Sequence, residues 1–195
     1  MKFPESKLAH EYLDGLDVVV EIGAAAHNPF NVKCNTYINV DFSDDEIFHR
    51  AQMDYCGEVA KVHIMASADE LPFEDESVNA ILNSHVLEHC FDPIKTLAEW
   101  MRVIKKGGYL FMIIPHKERT FDHAKPLTTI SELIERTHGR LTLDNYGIKE
   151  DDHRHWNIWD TNSFLDLSYV LKLPIINHLD VDDKVGNGFT IVIQK

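Results

Sequence analysis

Short apolar runs separated by polar loops recur along the chain, and their lengths predict a β-sheet. Val18–Ile22 is almost entirely β-branched or apolar, which is typical of a parallel strand that is covered on both faces. Similar runs at residues 37–41, 62–66, 78–82 and 109–114 predict four more strands. The pattern therefore favours an α/β fold.

Between and after these runs, apolar residues return at the period of a helix. Asp92 as N-cap and Pro93 at the first helical position predict an amphipathic helix that runs to residue 104. Thr129 begins a second predicted helix, which ends at Gly139, and residues 161–173 form a third. The alternation of strands and helices predicts a doubly wound, Rossmann-like α/β sheet.

The end of the chain reads differently, because residues 174–195 predict two strands joined by a glycine-containing loop. Such a hairpin would add an antiparallel strand to the parallel sheet. The chain shows no internal repeat, low-complexity tract or linker. We therefore expect residues 1–195 to form a single domain.

Composition narrows the choice of partners and of compartment. The formal net charge is −13, with 32 acidic against 19 basic side chains, which argues against a nucleic-acid or anionic-membrane partner. The three cysteines are isolated and lack paired spacing, as expected of reduced thiols. No apolar signal segment or membrane span is apparent. We expect a cytoplasmic protein, and no oligomeric state is predicted.

Three successive predicted strands end near a carboxylate. Glu21, Asp41 and Asp69 occupy these positions, and Gly23 follows the first strand, where backbone can approach a ligand closely. Ligands of open α/β sheets bind at the carboxyl ends of the strands. The acidic lining favours a ribose-bearing or cationic ligand over a triphosphate. The absence of a phosphate-binding Walker sequence also argues against a triphosphate.

The central segment, residues 67–115, contains SADELPF, VLEHCFDP and KKGGYLFMIIP in that order. These motifs and their spacing resemble the class I S-adenosylmethionine-dependent methyltransferases, of the type 11-like group. The resemblance implies a three-layered, seven-stranded sheet, mostly parallel with an antiparallel last strand. It also implies that the protein binds S-adenosylmethionine, transfers its methyl group and releases S-adenosylhomocysteine.

Carried onto this sequence, the resemblance implies a set of cofactor-binding residues at the ends of the strands. One departure stands out, because Gly23 is followed by three alanines where the family usually has further glycines. The implied contacts are Glu21, Gly23 and Ala25 at the methionine end, Asp41 at the ribose hydroxyls, Ala68 and Asp69 at the adenine, and Ser84 and His85 near the sulfonium.

Methyl transfer from a sulfonium is an in-line displacement, so the protein mainly aligns the acceptor with the cofactor. An amine or hydroxyl acceptor also needs a base. His116, His155 and His153 are the candidate catalytic residues, since imidazole titrates near neutral pH. A metal bound by His153 and His155 with Asp151 or Asp152 is the alternative. Their spacing fits known ligand patterns poorly, so we expect no metal.

The acceptor is indicated only by a narrower resemblance. Residues 116–129, HKERTFDHAKPLTT, and residues 153–156, HRHW, are similar to a subgroup of bacterial methyltransferases linked to saccharide and surface-polysaccharide biosynthesis. A small-molecule or saccharide acceptor is therefore predicted. Two other functions stay open: a catalytically silent adenosyl-binding scaffold, suggested by the glycine-poor loop, and a nicotinamide-dependent oxidoreductase, against which the absence of GxGxxG argues.

Overall fold

A computed structural model describes residues 2–146 and 155–195, and within these ranges seven strands form one sheet. The strand order is β3-β2-β1-β4-β5-β7-β6, in which β7 runs antiparallel to both β5 and β6 and the other neighbours are parallel. The predicted fold class is therefore confirmed. The strands are β1 (Val18–Ile22), β2 (Thr36–Asp41), β3 (Ile64–Met65), β4 (Val78–Ser84), β5 (Ile104–Pro115), β6 (Ile175–Leu179) and β7 (Gly188–Gln194).

The helices flank this sheet, and the two predicted N-caps are present. Asp92 accepts a hydrogen bond from the backbone of Lys95, and Thr129 accepts one from Glu132, as Asp and Thr do at helix N-termini. The helices are α1 (Lys7–Leu13), α2 (Glu46–Cys56), α3 (Pro93–Val103), α4 (Ile130–Thr137) and α5 (Thr161–Val170), with short 3-10 turns at Leu87–His89, Lys117–Arg119 and Phe121–Ala124.

Two apolar layers cover the sheet, one on each face. Val20 and Ile22 of β1 belong to the layer that includes side chains of α3, α4 and α5. Val19 belongs to the other layer, together with α1 and with Phe30 from the connection between β1 and β2. Alternate residues of a strand point to opposite faces, so the continuous apolar run in β1 serves both layers.

The connection between β1 and β2, residues 23–35, is here called the first loop, and it contains no helix. Phe30 is fully buried and packs at 6.0 Å, edge to face, against Phe111 of β5. One aromatic side chain thus fills space that a crossover helix commonly covers.

Some element bounds differ from those predicted. The helix predicted to run to residue 104 ends at Val103, because Ile104 already begins β5 and pairs with Val78. The predicted strand at residues 62–66 shortens to Ile64–Met65, which lies at the sheet edge and pairs with β2 alone. An edge strand has one neighbour to extend its ladder, so pairing can stop early.

Candidate cofactor and acceptor site

The carboxyl ends of β1, β2 and β4 meet at one edge of the sheet. Ile22 pairs with Val40 on one side and with Asn83 on the other, so the residues that follow these three strands are neighbours. The chain leaves β1 towards β2 and returns through β3 to β4 on the opposite side. This is the topological switch point at which doubly wound folds bind their ligands.

Gly23 begins the first loop in a conformation that side chains rarely adopt. Its φ is +73°, and a Cβ at this position would lie 2.5 Å from Cγ2 of Val86, which follows β4. The first loop therefore packs directly onto the chain beyond β4. Ala24, Ala25 and Ala26, all described, have no positive φ, so the alanines follow a path that does not require glycine.

The Glu21 side chain lies beneath the first loop. Its carboxylate is 6% exposed and accepts a hydrogen bond of 2.8 Å from the hydroxyl of Tyr37. Burial raises the pKa of Glu21 to about 7, against the opposing effects of Tyr37 and Lys184. The carboxylate lines a cavity of about 390 Å³ that also includes Ala25 but none of Asp41, Asp69, Ser84 and His85.

Asp41 ends β2 with its carboxylate held by its own turn. One oxygen accepts hydrogen bonds from the backbone of Phe42 at 2.7 Å and of Ser43 at 3.4 Å. Burial raises the pKa of Asp41, and these two backbone hydrogen bonds oppose the rise. A carboxylate fixed in this way at the end of the second strand is suited to accept hydrogen bonds from ribose hydroxyls.

Ala68 and Asp69 follow β3, the strand that lies next to β2 at the border of the sheet. The carbonyl of Ala68 accepts a hydrogen bond of 2.8 Å from the indole of Trp100, a fully buried residue of α3. The Asp69 carboxylate contacts Lys95 at 2.8 Å and the Ser67 hydroxyl at 2.5 Å. Lys95 first, and then Ser67, lower the pKa of Asp69, so its charge is already balanced within the protein.

Ser84 and His85 connect the cofactor edge to a second group of polar residues. Ser84 accepts a hydrogen bond of 3.1 Å from Asn28 of the first loop. His85 has φ +58°, a left-handed conformation that turns the chain sharply after β4. Burial lowers the pKa of His85 to about 4, so its ring is neutral at neutral pH.

Glu88 is the centre of a cluster that sequence reasoning did not assemble. Its side chain is fully buried, and burial raises its pKa to about 8. No described residue donates a hydrogen bond to either of its oxygens. Oε1 lies 3.8 Å from Nδ1 of His85, 3.7 Å from Nε2 of His89 and 3.9 Å from Nε2 of His155. We call these four residues the Glu88 cluster.

His155 is oriented from behind by Asp122. The two side chains are both buried, and Nδ1 of His155 lies 2.5 Å from Oδ2 of Asp122. Burial lowers the pKa of His155, while Asp122 opposes this effect. The contact leaves Nε2 directed towards Glu88. The VLEH segment was the available sequence signal, yet it gave no indication that residues 122 and 155 come together.

The other two candidate bases are placed differently. Nδ1 of His116 accepts a hydrogen bond of 3.1 Å from the backbone of Glu118 and so caps the 3-10 turn Lys117–Arg119. Burial, and then Arg119, lower the pKa of His116. His153 lies outside the described residues, as do Asp151 and Asp152.

Two further observations bear on the class of protein. The cysteines Cys34, Cys56 and Cys90 are free thiols. In the described ranges, no helix combines the length and the apolar character that a membrane span requires.

Comparison with known proteins identifies the domain. Residues 20–112 match the model of a family described as a methyltransferase domain. A solved S-adenosylmethionine-dependent methyltransferase from Methanosarcina mazei shares the fold with a TM-score of 0.55 at 17% identity, over 97% of each chain. Residues 20–112 are therefore similar to a methyltransferase domain, and the sheet has the fold of a solved S-adenosylmethionine-dependent methyltransferase. S-adenosylmethionine is the cofactor of this class.

Named relatives cover part of the chain. An uncharacterized methyltransferase of Mycolicibacterium vanbaalenii is 30% identical over 57% of this chain and 46% of its own length. Malonyl-[acyl-carrier protein] O-methyltransferase of Marinomonas sp. is 26% identical over 54% of this chain and 41% of its own length. The chain thus aligns with less than half the length of these relatives.

Proposed function

We propose that this protein transfers the methyl group of S-adenosylmethionine to a small-molecule or saccharide acceptor. The observation that carries the proposal is the convergence of Gly23, Asp41 and Ser84 at the switch point of the sheet. The match to the methyltransferase family over residues 20–112 supports the same reaction. Both observations concern the part of the chain that begins with β1 and ends in β5.

The residues at this edge fit the cofactor. Asp41 would hold the ribose hydroxyls, and the backbone at Gly23 would lie against the methionine part, with Ala25 further along the first loop. Ala68 and Asp69 would border the adenine. An excess of carboxylates, at a net charge of −13 for the chain, suits a cofactor whose sulfonium and ammonium groups are positive. Glu21 would act from beneath the first loop, through Tyr37, rather than by direct contact.

When bound, the cofactor supplies an electrophilic methyl group, and the protein aligns the acceptor with it. Ser84 and His85 would lie beside the cofactor at the end of β4, and the turn Leu87–His89, which contains Glu88, follows directly. We therefore place the reacting group of the acceptor between His85 and His155. Among the three candidate bases, His155 has its ring fixed by Asp122 and its Nε2 directed into this space, so it acts on the acceptor's proton.

A saccharide is the acceptor that the surroundings of this space favour. Phe121 is 62% exposed, and its ring centroid lies 4.7 Å from that of His155. An exposed aromatic ring beside a polar cluster is suited to pack against the apolar face of a sugar. The resemblance of residues 116–129 to methyltransferases of saccharide biosynthesis supports the same choice.

The test is calorimetric titration of the purified protein with S-adenosylmethionine and S-adenosylhomocysteine. Asp41→Ala is expected to weaken binding about tenfold or more, because hydrogen bonds to a charged group contribute about 1.5–3 kcal/mol. Asp166→Ala, an exposed carboxylate of α5, is the matched control and should bind as the wild type does. A folded wild type that binds neither ligand would overturn the proposal.

A turnover assay distinguishes a methyltransferase from a catalytically silent adenosyl-binding scaffold. Formation of S-adenosylhomocysteine is measured with sugar nucleotides first and then with other hydroxyl and amine acceptors. Transfer to any of them supports the enzyme. Tight binding of both ligands without transfer to any acceptor class supports the adenosyl-binding scaffold, which the glycine-poor first loop motivates.

A further inference from the structure

Glu88 is a buried carboxylate with three histidines around it. Its side chain has no exposed surface, and no described residue donates a hydrogen bond to it. A carboxylate in this position is costly unless a cation or a proton neutralises it. We propose that Glu88, His89 and His155 bind a divalent transition-metal cation such as Zn²⁺.

The distances suit such a cation. One ligand atom from each of the three residues lies within 4.8 Å of the other two. Oε1 of Glu88 lies 3.7 Å from Nε2 of His89 and 3.9 Å from Nε2 of His155. Zinc–ligand bonds of about 2.0–2.1 Å in a tetrahedron require ligand atoms about 3.3 Å apart. Small rotations of the side chains are therefore sufficient to close the site.

The ligand set also indicates the class of metal. Two imidazoles and one carboxylate form a set that zinc enzymes use when one coordination position is left for water or substrate. Hard cations such as Mg²⁺ and Ca²⁺ prefer oxygen ligands, whereas imidazole suits transition metals. The structure therefore points to a transition metal with an open fourth position.

Asp122 provides the support that metal-binding histidines usually have. Its Oδ2 lies 2.5 Å from Nδ1 of His155, and its Oδ1 lies 2.7 Å from Nζ of Lys125. The proton of His155 is thus placed on Nδ1, and the lone pair on Nε2 faces Glu88. Carboxylates in this position fix the tautomer of a ligand histidine and raise its basicity.

The backbone holds the two ligand-bearing segments together. Glu88 and His89 lie in the turn Leu87–His89, whose Glu88 carbonyl accepts a hydrogen bond of 2.8 Å from the backbone of Trp156. The Asn157 side chain donates to the carbonyl of Cys90 at 2.6 Å. His155 is therefore held against the turn by the two residues that follow it, as a preorganised site requires.

The open position gives the cation a role in the proposed methyl transfer, and this consequence rests on that function. The His89 side chain is 47% exposed, so the site opens to solvent on this side. A hydroxyl of the acceptor bound to the cation loses its proton more readily, as metal-bound water does. The oxygen would form its bond to the methyl carbon as the carbon–sulfur bond breaks, S-adenosylhomocysteine would be released, and the proton would pass to solvent. With the cation bound, His155 would act on the acceptor's proton through the metal rather than directly.

The experiment is metal binding by untagged protein that has been treated with a chelator and dialysed. Zn²⁺ is titrated by calorimetry, and Co²⁺ serves as a visible absorption probe of nitrogen and oxygen ligation. Wild type is expected to bind one equivalent. Glu88→Gln and His155→Gln should abolish this stoichiometric binding, whereas Asp122→Asn should weaken it about ten- to a hundredfold. His178→Ala removes an exposed histidine of β6 and should leave binding unchanged.

S-adenosylhomocysteine binding is measured in parallel, because it distinguishes the two proposals and reports folding. One equivalent of metal in a protein that binds no cofactor supports the metal site and counts against the proposed methyl transfer. Cofactor binding without metal binding overturns the metal site alone. Equal metal affinity in wild type and Glu88→Gln also overturns it. So does a loss of metal affinity in His178→Ala that is as large as the loss in Glu88→Gln.

Discussion

The ammonium group of Lys184 donates a hydrogen bond of 2.6 Å to the carbonyl of Pro29. The same group donates to the carbonyl of Pro4 at 2.9 Å and lies 4.6 Å from the ring centroid of Phe30. Lys184 belongs to the loop between β6 and β7 and is 3% exposed. The loop between β6 and β7 thus holds the first loop in place, beside the edge of the sheet where we propose that the cofactor binds.

Replacing Lys184 should therefore loosen the first loop. We expect Lys184→Met to lower the free energy of unfolding by about 2 kcal/mol or more, because two partly buried carbonyls lose a charged donor. It should also weaken the binding of S-adenosylhomocysteine. Chemical denaturation and calorimetry measure the two effects. Lys61→Met, at an exposed site, is the control, and equal stability of the two variants would contradict the fastening role.

Glu21 makes the stability of the fold depend on pH. Its folded-state pKa of about 7 lies above its ordinary value of 4.5 because it is buried. Between these values the unfolded chain has released the proton that the folded chain still holds. Stability is therefore lost as pH rises through this window. Tyr37 and Lys184 face the same carboxylate and limit the loss.

The variant Glu21→Gln removes this titration. Relative to wild type, it should gain stability between pH 5 and pH 8, by up to about 3 kcal/mol. Unfolding curves at several pH values provide the measurement. Glu11→Gln, an exposed residue of α1, should follow the wild-type pH dependence. If the two variants show the same pH dependence, Glu21 does not titrate in this range.

The sheet could be predicted from the sequence because its determinants are local. The apolar run of β1, the Asp92 and Pro93 helix start and the glycine loop of the terminal hairpin each act within a few residues. The alternation along β1 also explains the position of Glu21. It lies two residues from Val19 and so shares the face covered by Phe30, a placement that the family resemblance alone did not give.

The candidate acceptor site depends on contacts between distant residues. Asp122 meets His155 across 33 positions, and the Glu88 carboxylate lies against a histidine that is further still along the chain. Spacing rules for metal sites compare neighbours in sequence, so they could weigh only His153 and His155, and their poor spacing argued against a metal. Both of these histidines belong to one short segment of the sequence. The fold instead brings His155 to the turn Leu87–His89, which follows β4.

Gly23 allows a test of the close contact between the first loop and Val86. Gly23→Ala combines the cost of a left-handed alanine with a clash against the Val86 side chain, since the two atoms would be 2.5 Å apart. Gly15→Ala is a matched control, because its φ is +82° and nothing lies within 4 Å of the added Cβ.

We expect Gly15→Ala to cost about 1–2 kcal/mol of stability and Gly23→Ala to cost more. Gly23→Ala should in addition weaken the binding of S-adenosylhomocysteine. The double variant Gly23→Ala with Val86→Ala should recover the part of the stability loss that the clash causes. It should keep the part that is caused by backbone strain at residue 23. Equal costs for the two single variants would show that the loop moves away from Val86 at no cost.

Arg136 of α4 joins the segment that follows His155 to the chain just beyond the Glu88 turn. Its buried guanidinium donates to the carbonyl of Phe91 at 3.0 Å, to the Asn157 side chain at 2.9 Å and to the carbonyl of Trp156 at 3.2 Å. It also lies over the Phe91 ring, 4.7 Å from the centroid. A lysine ammonium is a point donor and lacks the planar fork that these several acceptors require.

Arg136→Lys is therefore expected to destabilise the fold by about 3 kcal/mol, in the range for breaking a buried charge network. Arg140→Lys, whose exposed side chain pairs with Glu135, should change stability by less than about 1 kcal/mol. Denaturant unfolding measures both. Because Trp156 and Asn157 directly follow His155, Arg136→Lys should also weaken Zn²⁺ binding under conditions in which it is folded. A variant that keeps wild-type stability would show that Arg136 does not organise this segment.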